Sequence, residues 1–275
     1  MIRLPFLILF LASTLAVLAQ HLAIPPRGAY VGAYMDLGES EDDLTPSTIS
    51  AFEKLSGRRQ AIVAFSSYWG RKGFPSAQVE VVRGANAIPL IFWSPWGPPY
   101  RQNEPQPEYS LDRIIEGKFD AYLRDWARKA RATRIPLLVA FGIEMNGDWF
   151  PWGGPVQGGG ETRRFGDPKK ADGPERFIAA YRRVVGIVRA EGARNVEWVY
   201  HAQNYSWPVA SWNTIQTYYP GDDVVDWLGL SVYGKQNSKG GWLTFTDVAR
   251  MPYDEIVRLH PTKPIMFAEW GVGEF

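Results

Sequence analysis

Residues 136–149 read Pro-Leu-Leu-Val-Ala-Phe-Gly-Ile-Glu-Met-Asn-Gly-Asp-Trp. The run 136–141 is apolar at both parities, which predicts a short strand covered on both faces. Glycine punctuates it, and Glu144 follows among amide, glycine and aromatic residues. A carboxylate that leaves a buried strand and meets an aromatic surface is costly unless it is paired or used. The same arrangement returns near the end of the chain, where Pro-Ile-Met-Phe-Ala (264–268) leads into Glu269-Trp270-Gly271.

Working outward, strands are predicted at 29–34, 61–65, 88–93, 136–141, 196–201, 224–232 and 264–268. Helices are predicted between them. Pro46 reads as a first helical position before 47–56. The segment 111–133 carries Ile114, Ile115, Phe119, Tyr122, Leu123 and Trp126 at helical spacing, and 175–190 does the same with Phe177, Tyr181, Val184 and Val188. Gly192 stops the latter, and 253–259 gives a shorter piece before Pro261. Strand and helix alternating this often predict a (β/α) barrel or a doubly wound sheet. The barrel is preferred because the unusual residues sit after strands: Trp93 and Trp96, Glu144 to Trp152, His201 to Trp207, Tyr233, and Glu269 with Trp270. In a barrel those ends share one mouth. Residues 151–174, rich in Gly and Pro, read as a groove wall beyond Glu144. The expected fold is a (β/α)8 TIM barrel lacking its eighth β/α unit in this chain, by continuation of the sequence past Phe275 or by an open barrel.

The first residues read as a targeting segment. Arg3 gives a basic start, Leu4 to Leu18 an apolar stretch, and Val17-Leu18-Ala19 a small-residue cleavage site. A signal peptide over 1–19 implies a secreted domain from 20 to 275; an uncleaved anchor is the alternative. The 275 residues hold no cysteine, so neither disulfides nor thiolate metal sites contribute. The formal net charge of +1 offers no bulk attraction to nucleic acid or an anionic membrane. The three histidines, His21, His201 and His260, lack metal-ligand spacing. No phosphate-binding loop or nucleophile elbow appears. No cofactor, no metal and no nucleic-acid partner are therefore expected, and a monomer is. The 12 Trp, 13 Tyr and 14 Phe stand out. They form either a Trp-rich core or the walls of a groove for sugar rings, whose C–H faces stack on aromatic faces.

The motif Glu144-Met-Asn-Gly-Asp-Trp149, with Glu269-Trp-Gly271, resembles glycoside hydrolase family 26, a family of retaining (β/α)8 glycosidases best known for endo-β-1,4-mannanases. The resemblance spans 28–271 in element order and places the motifs after strands four and seven. It implies Glu144 as acid/base, Glu269 as nucleophile, Tyr233 as the hydroxyl that bonds the nucleophile and Trp149 as the aromatic beside the acid/base. The family's usual histidine before the acid/base is Ile143 here, which cannot donate to a sugar hydroxyl.

Two carboxylates flanking a glycosidic bond serve an oxocarbenium-like transition state. Glu269 is expected ionised and Glu144 protonated at rest, its pKa raised by Trp149, Trp152 and the opposing charge. Retention requires carboxyl groups roughly 5–5.5 Å apart. Further candidate substrate contacts are Trp149, Trp152, Tyr233, Trp270, Trp93, Asn146 and His201. Asn146 alternatively caps its loop, His201 alternatively fills a hydrogen-bonded structural place, and the tryptophans alternatively belong to the core. Asp36 is a weaker candidate, and Asn204, Tyr205 and Trp207 a further subsite. The expected activity is retaining endo-hydrolysis of a β-linked polysaccharide, mannan first, then mixed-linkage β-glucan or β-1,3-xylan. The rival is a carbohydrate-binding protein without turnover.

Overall fold

Among the described residues, seven strands lie side by side in chain order, all parallel: β1 (Gly32–Tyr34), β2 (Ile62–Tyr68), β3 (Ile88–Ser94), β4 (Leu137–Phe141), β5 (Val196–Gln203), β6 (Trp227–Tyr233) and β7 (Ile265–Gly271). The computed structural model describes residues 21–35, 44–234, 239 and 241–271. The expected signal segment and Asp36 lie outside them. No described helix is long and apolar enough to cross a membrane.

Side-chain parity shows that the sheet curls. From β1, Tyr34 stacks on Phe92 of β3 at 6.0 Å, and Phe92 lies 5.4 Å from the His201 ring of β5. Polar atoms of His201 approach those of Glu269 on β7 within 4.8 Å. Odd-numbered strands thus meet across one interior, as alternate strands do in layered barrels. The residues of opposite parity face outward under the helices. Trp93 stacks on Trp126 of α4 (Asp120–Thr133) with ring centroids 4.1 Å apart. Phe141 and Trp198 pack on Phe177 and Tyr181 of α5 (Asp172–Ala190). These aromatic side chains are buried, and burial of each large apolar group stabilises the fold by about 1.5–3 kcal/mol.

α1 (Pro46–Ser56) begins where expected, with a Thr45–Thr48 capping box and Gly57 in the left-handed region at its end. Three readings need correction. The single helix expected over 111–133 is two, α3 (Leu111–Ile115) and α4. Gly117, at φ 83°, turns the chain between them, and Arg183 packs where its side chain would be. A helix not expected, α2 (Ser76–Gly84), joins β2 to β3. The last helix, α6 (Phe245–Val257), starts eight residues before the expected 253. Thr244 and Asp247 cap it reciprocally, and Pro252 lies inside it; the proline conceals its continuity in the sequence. The Gly/Pro-rich segment is irregular as expected, but helix α5 takes over from Asp172, with Pro174 in its first turn.

One irregularity aims the final strand. On β6, Gly229, Ser231 and Tyr233 share the inward parity, while Leu228, Leu230 and Val232 face outward. Phe267 pairs with Leu230, but Glu269 pairs with Ser231, so Ala268 is an extra residue in β7. Uniform alternation would put Phe267 and Glu269 on one face. The bulge instead leaves Phe267 and Trp270 outward, near Phe245 of α6, and turns Glu269 inward.

Candidate active site

Glu144 lies three residues beyond β4, and the chain there still follows its neighbours. Gly142 N–H donates to Trp93 O at 3.2 Å and Glu144 N–H to His201 O at 2.8 Å. Glu144 has φ 54°, in the left-handed region that a non-glycine residue enters at a cost of about 1–3 kcal/mol. The surrounding loop holds it there. The Asn146 amide reads Gln203 like another strand: Nδ2 donates to Gln203 O at 3.0 Å, and Oδ1 accepts from Gln203 N–H at 2.9 Å. Nδ2 also reaches Ser206 Oγ at 3.1 Å, and Asn146 O accepts from Trp207 N–H and Asn213 Nδ2. Asn146 is wholly buried by these contacts. It is a clamp between the loops after β4 and β5, which corrects its expectation as a substrate contact.

The Glu144 carboxyl is 6% exposed as a residue and sits against donors. Trp149 Nε1–H donates to its Oε2 at 2.7 Å. Trp149 can fold back because Gly147 has no side chain; a Cβ there would lie 2.3 Å from the indole. Ser231, inward on β6, is a further polar neighbour of the carboxyl. Burial raises the pKa of Glu144, and the polar influence of Ser231 and the bond from Trp149 oppose the rise without cancelling it.

Glu269 faces Glu144. Tyr233 O–H donates to Glu269 Oε2 at 2.5 Å. Burial, then the charge and hydrogen bond of Glu269, then the charge of Glu144 push the Tyr233 pKa far up, so Tyr233 remains a donor. An oxygen of Glu144, a ring nitrogen of His201 and an oxygen of Glu269 all lie within 4.8 Å of one another. That bound, on one oxygen of each group, puts both carboxylates at one place in the barrel. An N–H donor points at Glu144, an O–H donor at Glu269, and burial keeps the imidazole between them neutral.

The remaining expectations divide. Trp149 and Tyr233 stand at the carboxylates as expected, and Tyr205 lies 6.2 Å from Trp149, ring to ring, more than half exposed. His201 is inside the site but buried, its Nε2 2.7 Å from Ser231 Oγ. Burial lowers its pKa to about 3. Buried under Phe92 and bonded to Ser231, it is not the sugar contact expected. Trp93 is corrected because its parity on β3 is outward: it is wholly buried against α4, and its Nε1–H donates to Tyr122. Trp152 is corrected likewise. Its Nε1–H donates to Ile143 O at 2.7 Å, its ring stacks on Phe150 at 4.5 Å, and it is 1% exposed. Trp270 is 67% exposed, but on the outer face opposite Glu269. Ser231 escaped the sequence reading. Its one signal was a polar residue two positions before Tyr233 in an otherwise apolar strand.

Endoglucanase H of Acetivibrio thermocellus is 29% identical over 259 residues, which cover 93% of this chain and 25% of that protein. A mannan endo-1,4-beta-mannosidase of Thermothelomyces thermophilus is 25% identical over 160 residues, 52% of this chain and 27% of that protein. The chain spans about a quarter of the length of these curated relatives. The Bacillus subtilis mannanase BCman superposes with a TM-score of 0.62 at 20% identity, over 89% of this chain and 71% of that one, a likeness of fold. The model for glycosyl hydrolase family 26 matches residues 102–266, from the segment before α3 into β7. Since that stretch is more than half of the chain and includes the loop that carries Glu144, the chain belongs to glycosyl hydrolase family 26.

Proposed function

We propose that this domain hydrolyses a β-1,4-linked hexopyranose polysaccharide within the chain, with retention of anomeric configuration. The observation that carries the reading is the close approach of two carboxylates in unlike environments: Glu144 buried with a raised pKa, Glu269 bonded by Tyr233. Glu269 attacks the anomeric carbon while Glu144 gives its proton to the leaving oxygen. The proton and the bonding pair leave with the departing chain, and a glycosyl ester forms on Glu269. Glu144, now a carboxylate, takes a proton from water, and the water oxygen displaces Glu269. Tyr233 bonds Glu269 throughout, and Trp149 bonds Glu144 in its ionised state.

For the backbone sugar, we favour β-glucan over mannan. The relative matched across 93% of this chain is named an endoglucanase. Ile143 is buried and its carbonyl is engaged by Trp152, so its side chain offers no polar group beside Glu144. A site that must bond an axial sugar hydroxyl needs such a group. Mannan is the second reading, favoured by the name of the other relative.

The test is reducing-sugar release from mixed-linkage β-glucan, cellulose, mannan and β-1,3-xylan, with the first-formed anomer read by proton NMR. β-Glucan cleavage with a β-anomeric first product is expected. An α-anomeric first product would end the retaining mechanism. Mannan cleavage alone would reverse the substrate order, and binding without release would replace the enzyme by a lectin-like protein.

A further inference from the structure

The loop after β5 exposes two aromatic side chains that the two-carboxylate chemistry does not use. Tyr205 is 54% exposed and Trp207 is 53% exposed. A single exposed aromatic is ordinary on a protein surface. These two share one short loop, and its backbone is fastened. Trp207 N–H donates to Asn146 O at 3.0 Å, and Asn146 Nδ2 donates to Ser206 Oγ at 3.1 Å. Asn213 braces the segment from its other end. Its Nδ2 donates to Pro208 O at 2.8 Å and to Asn146 O at 3.1 Å, and its Oδ1 accepts from Tyr218 O–H at 2.5 Å. A surface held in place beforehand loses less freedom when a ligand seats on it.

The loop is also tied to the acid/base. Trp149 Nε1–H bonds Glu144 Oε2 at 2.7 Å, and the Tyr205 ring lies 6.2 Å from the Trp149 ring, inclined at 56°. Tyr205 therefore stands one indole beyond Glu144. Glu269, by contrast, comes from β7, two strands further round the sheet. The sugar that becomes the ester is held at Glu269. The proton of Glu144 goes to the oxygen of the chain that departs. That departing chain needs a seat on the flank of Glu144 away from Glu269, and aromatic faces accept the apolar C–H faces of pyranose rings.

We infer that Tyr205 and Trp207 bind the leaving-group side of a β-1,4-linked hexopyranose chain, in an aromatic subsite that begins at Trp149 and continues along the loop after β5. The inference rests on Glu144 being the acid/base, and it adds a polarity: the reducing-end side of the bound chain lies over that loop. The same hydrogen bonds from Asn146 that bury the residue hold the subsite and the acid/base loop as one unit.

The test compares wild type with Tyr205→Ala, Trp207→Ala and Tyr205→Phe. The substrates are cellotetraose and mannotetraose, which have a sugar leaving group, and the dinitrophenyl β-biosides of the same two sugars, which do not. Each alanine variant should lower kcat/KM on the tetrasaccharide that wild type cleaves by about tenfold, the size of one apolar ring face removed from water. The matching dinitrophenyl bioside should be cleaved within twofold of wild type. Tyr205→Phe keeps the ring and should stay near wild type on both. Melting temperatures should not move, since both side chains are exposed. Equal losses on the two kinds of substrate would place these residues on the other side of the bond or in a merely structural role, and would overturn the inference. Tetrasaccharide rates at the wild-type level would overturn it too. If wild type releases sugar from none of the four, the glycosidase reading fails separately. Ligand-observed NMR titration of the two tetrasaccharides then decides: weaker binding by both alanine variants keeps the aromatic subsite, and equal binding, or none by wild type, removes it.

Discussion

Tyr233 and Glu269 sit on neighbouring strands, and their 2.5 Å hydrogen bond exists only because the bulge at Ala268 turns Glu269 toward the barrel interior. Inward parity on β6 fixes Tyr233, so the pair is set by strand register. Tyr233 stays protonated because its pKa is pushed far up by burial and by Glu269. It is therefore a permanent donor to one oxygen of the carboxylate proposed as the nucleophile. A hydrogen bond to a charged group contributes about 1.5–3 kcal/mol.

Tyr233→Phe removes that donor and keeps the ring. We expect kcat to fall about 10- to 100-fold, at about 1.4 kcal/mol per decade, with the melting temperature nearly unchanged. Initial rates on the preferred polysaccharide, paired with thermal melts, check this. A rate within twofold of wild type would remove Tyr233 from the support of Glu269.

Glu144→Ala and Glu269→Ala separate the two roles. General acid/base catalysis contributes about 10²–10⁴-fold, so Glu144→Ala should lose about that much on polysaccharide. It should lose far less in the first step with a dinitrophenyl glycoside, and azide should restore turnover by yielding a β-glycosyl azide. Glu269→Ala should lose turnover on both substrates, and azide should then give only the α-product. Identical azide products from the two variants would contradict the assignment.

The order of the elements was legible because several strands are apolar at both parities and Gly, Pro or Asn marks the ends of most. Glu144 was legible because its motif follows the strand at once. Parity around the barrel was harder to see. Nothing in Ile-Phe-Trp-Ser (91–94) says that Phe92 faces the site while Trp93 packs under α4; neighbouring strands decide it. The bulge at Ala268 is invisible for the same reason, since it is a property of the β6–β7 register. Trp152 and Asn146 were read outward because they follow a strand end, but the loop folds back and buries both. Helix α6 was cut short by Pro252, and the Thr244–Asp247 capping box that opens it went unread.

Two tryptophans of similar sequence standing should behave oppositely. Trp93→Ala opens a cavity between β3 and α4 and should destabilise the fold by about 3–5 kcal/mol, leaving KM of the folded fraction unchanged. Trp149→Phe keeps an aromatic ring but loses the N–H bonded to Glu144. It should lower kcat about tenfold or more, from a charge-assisted bond of about 1.5–3 kcal/mol, with little change in stability. Denaturant melts beside steady-state kinetics separate them. Substrate binding weakened by Trp93→Ala in proportion to its stability loss would return that residue to the groove.

Stability should depend on pH through two buried groups that pull in opposite directions. Burial raises the Glu144 pKa above its ordinary 4.5. The folded chain then holds that proton more tightly than the unfolded one. This contribution is complete below 4.5 and is lost as pH rises through the folded value. His201 is the reverse case, lowered to about 3 from 6.5 by burial. Between those values the unfolded chain binds a proton that the folded chain refuses. Its contribution is complete above 6.5 and is lost as pH falls toward 3. Melting temperatures across pH 3–9 should therefore carry a Glu144 loss that sets in as pH rises above about 4.5 and a His201 loss that sets in as pH falls below about 6.5, two trends that oppose each other between these ordinary values. Glu144→Gln cannot ionise and should flatten the alkaline decline while abolishing turnover. His201→Gln should flatten the acid decline. If Glu144→Gln melts with the wild-type slope as pH rises from 4.5, the carboxyl does not carry the burial penalty that its role as an acid requires.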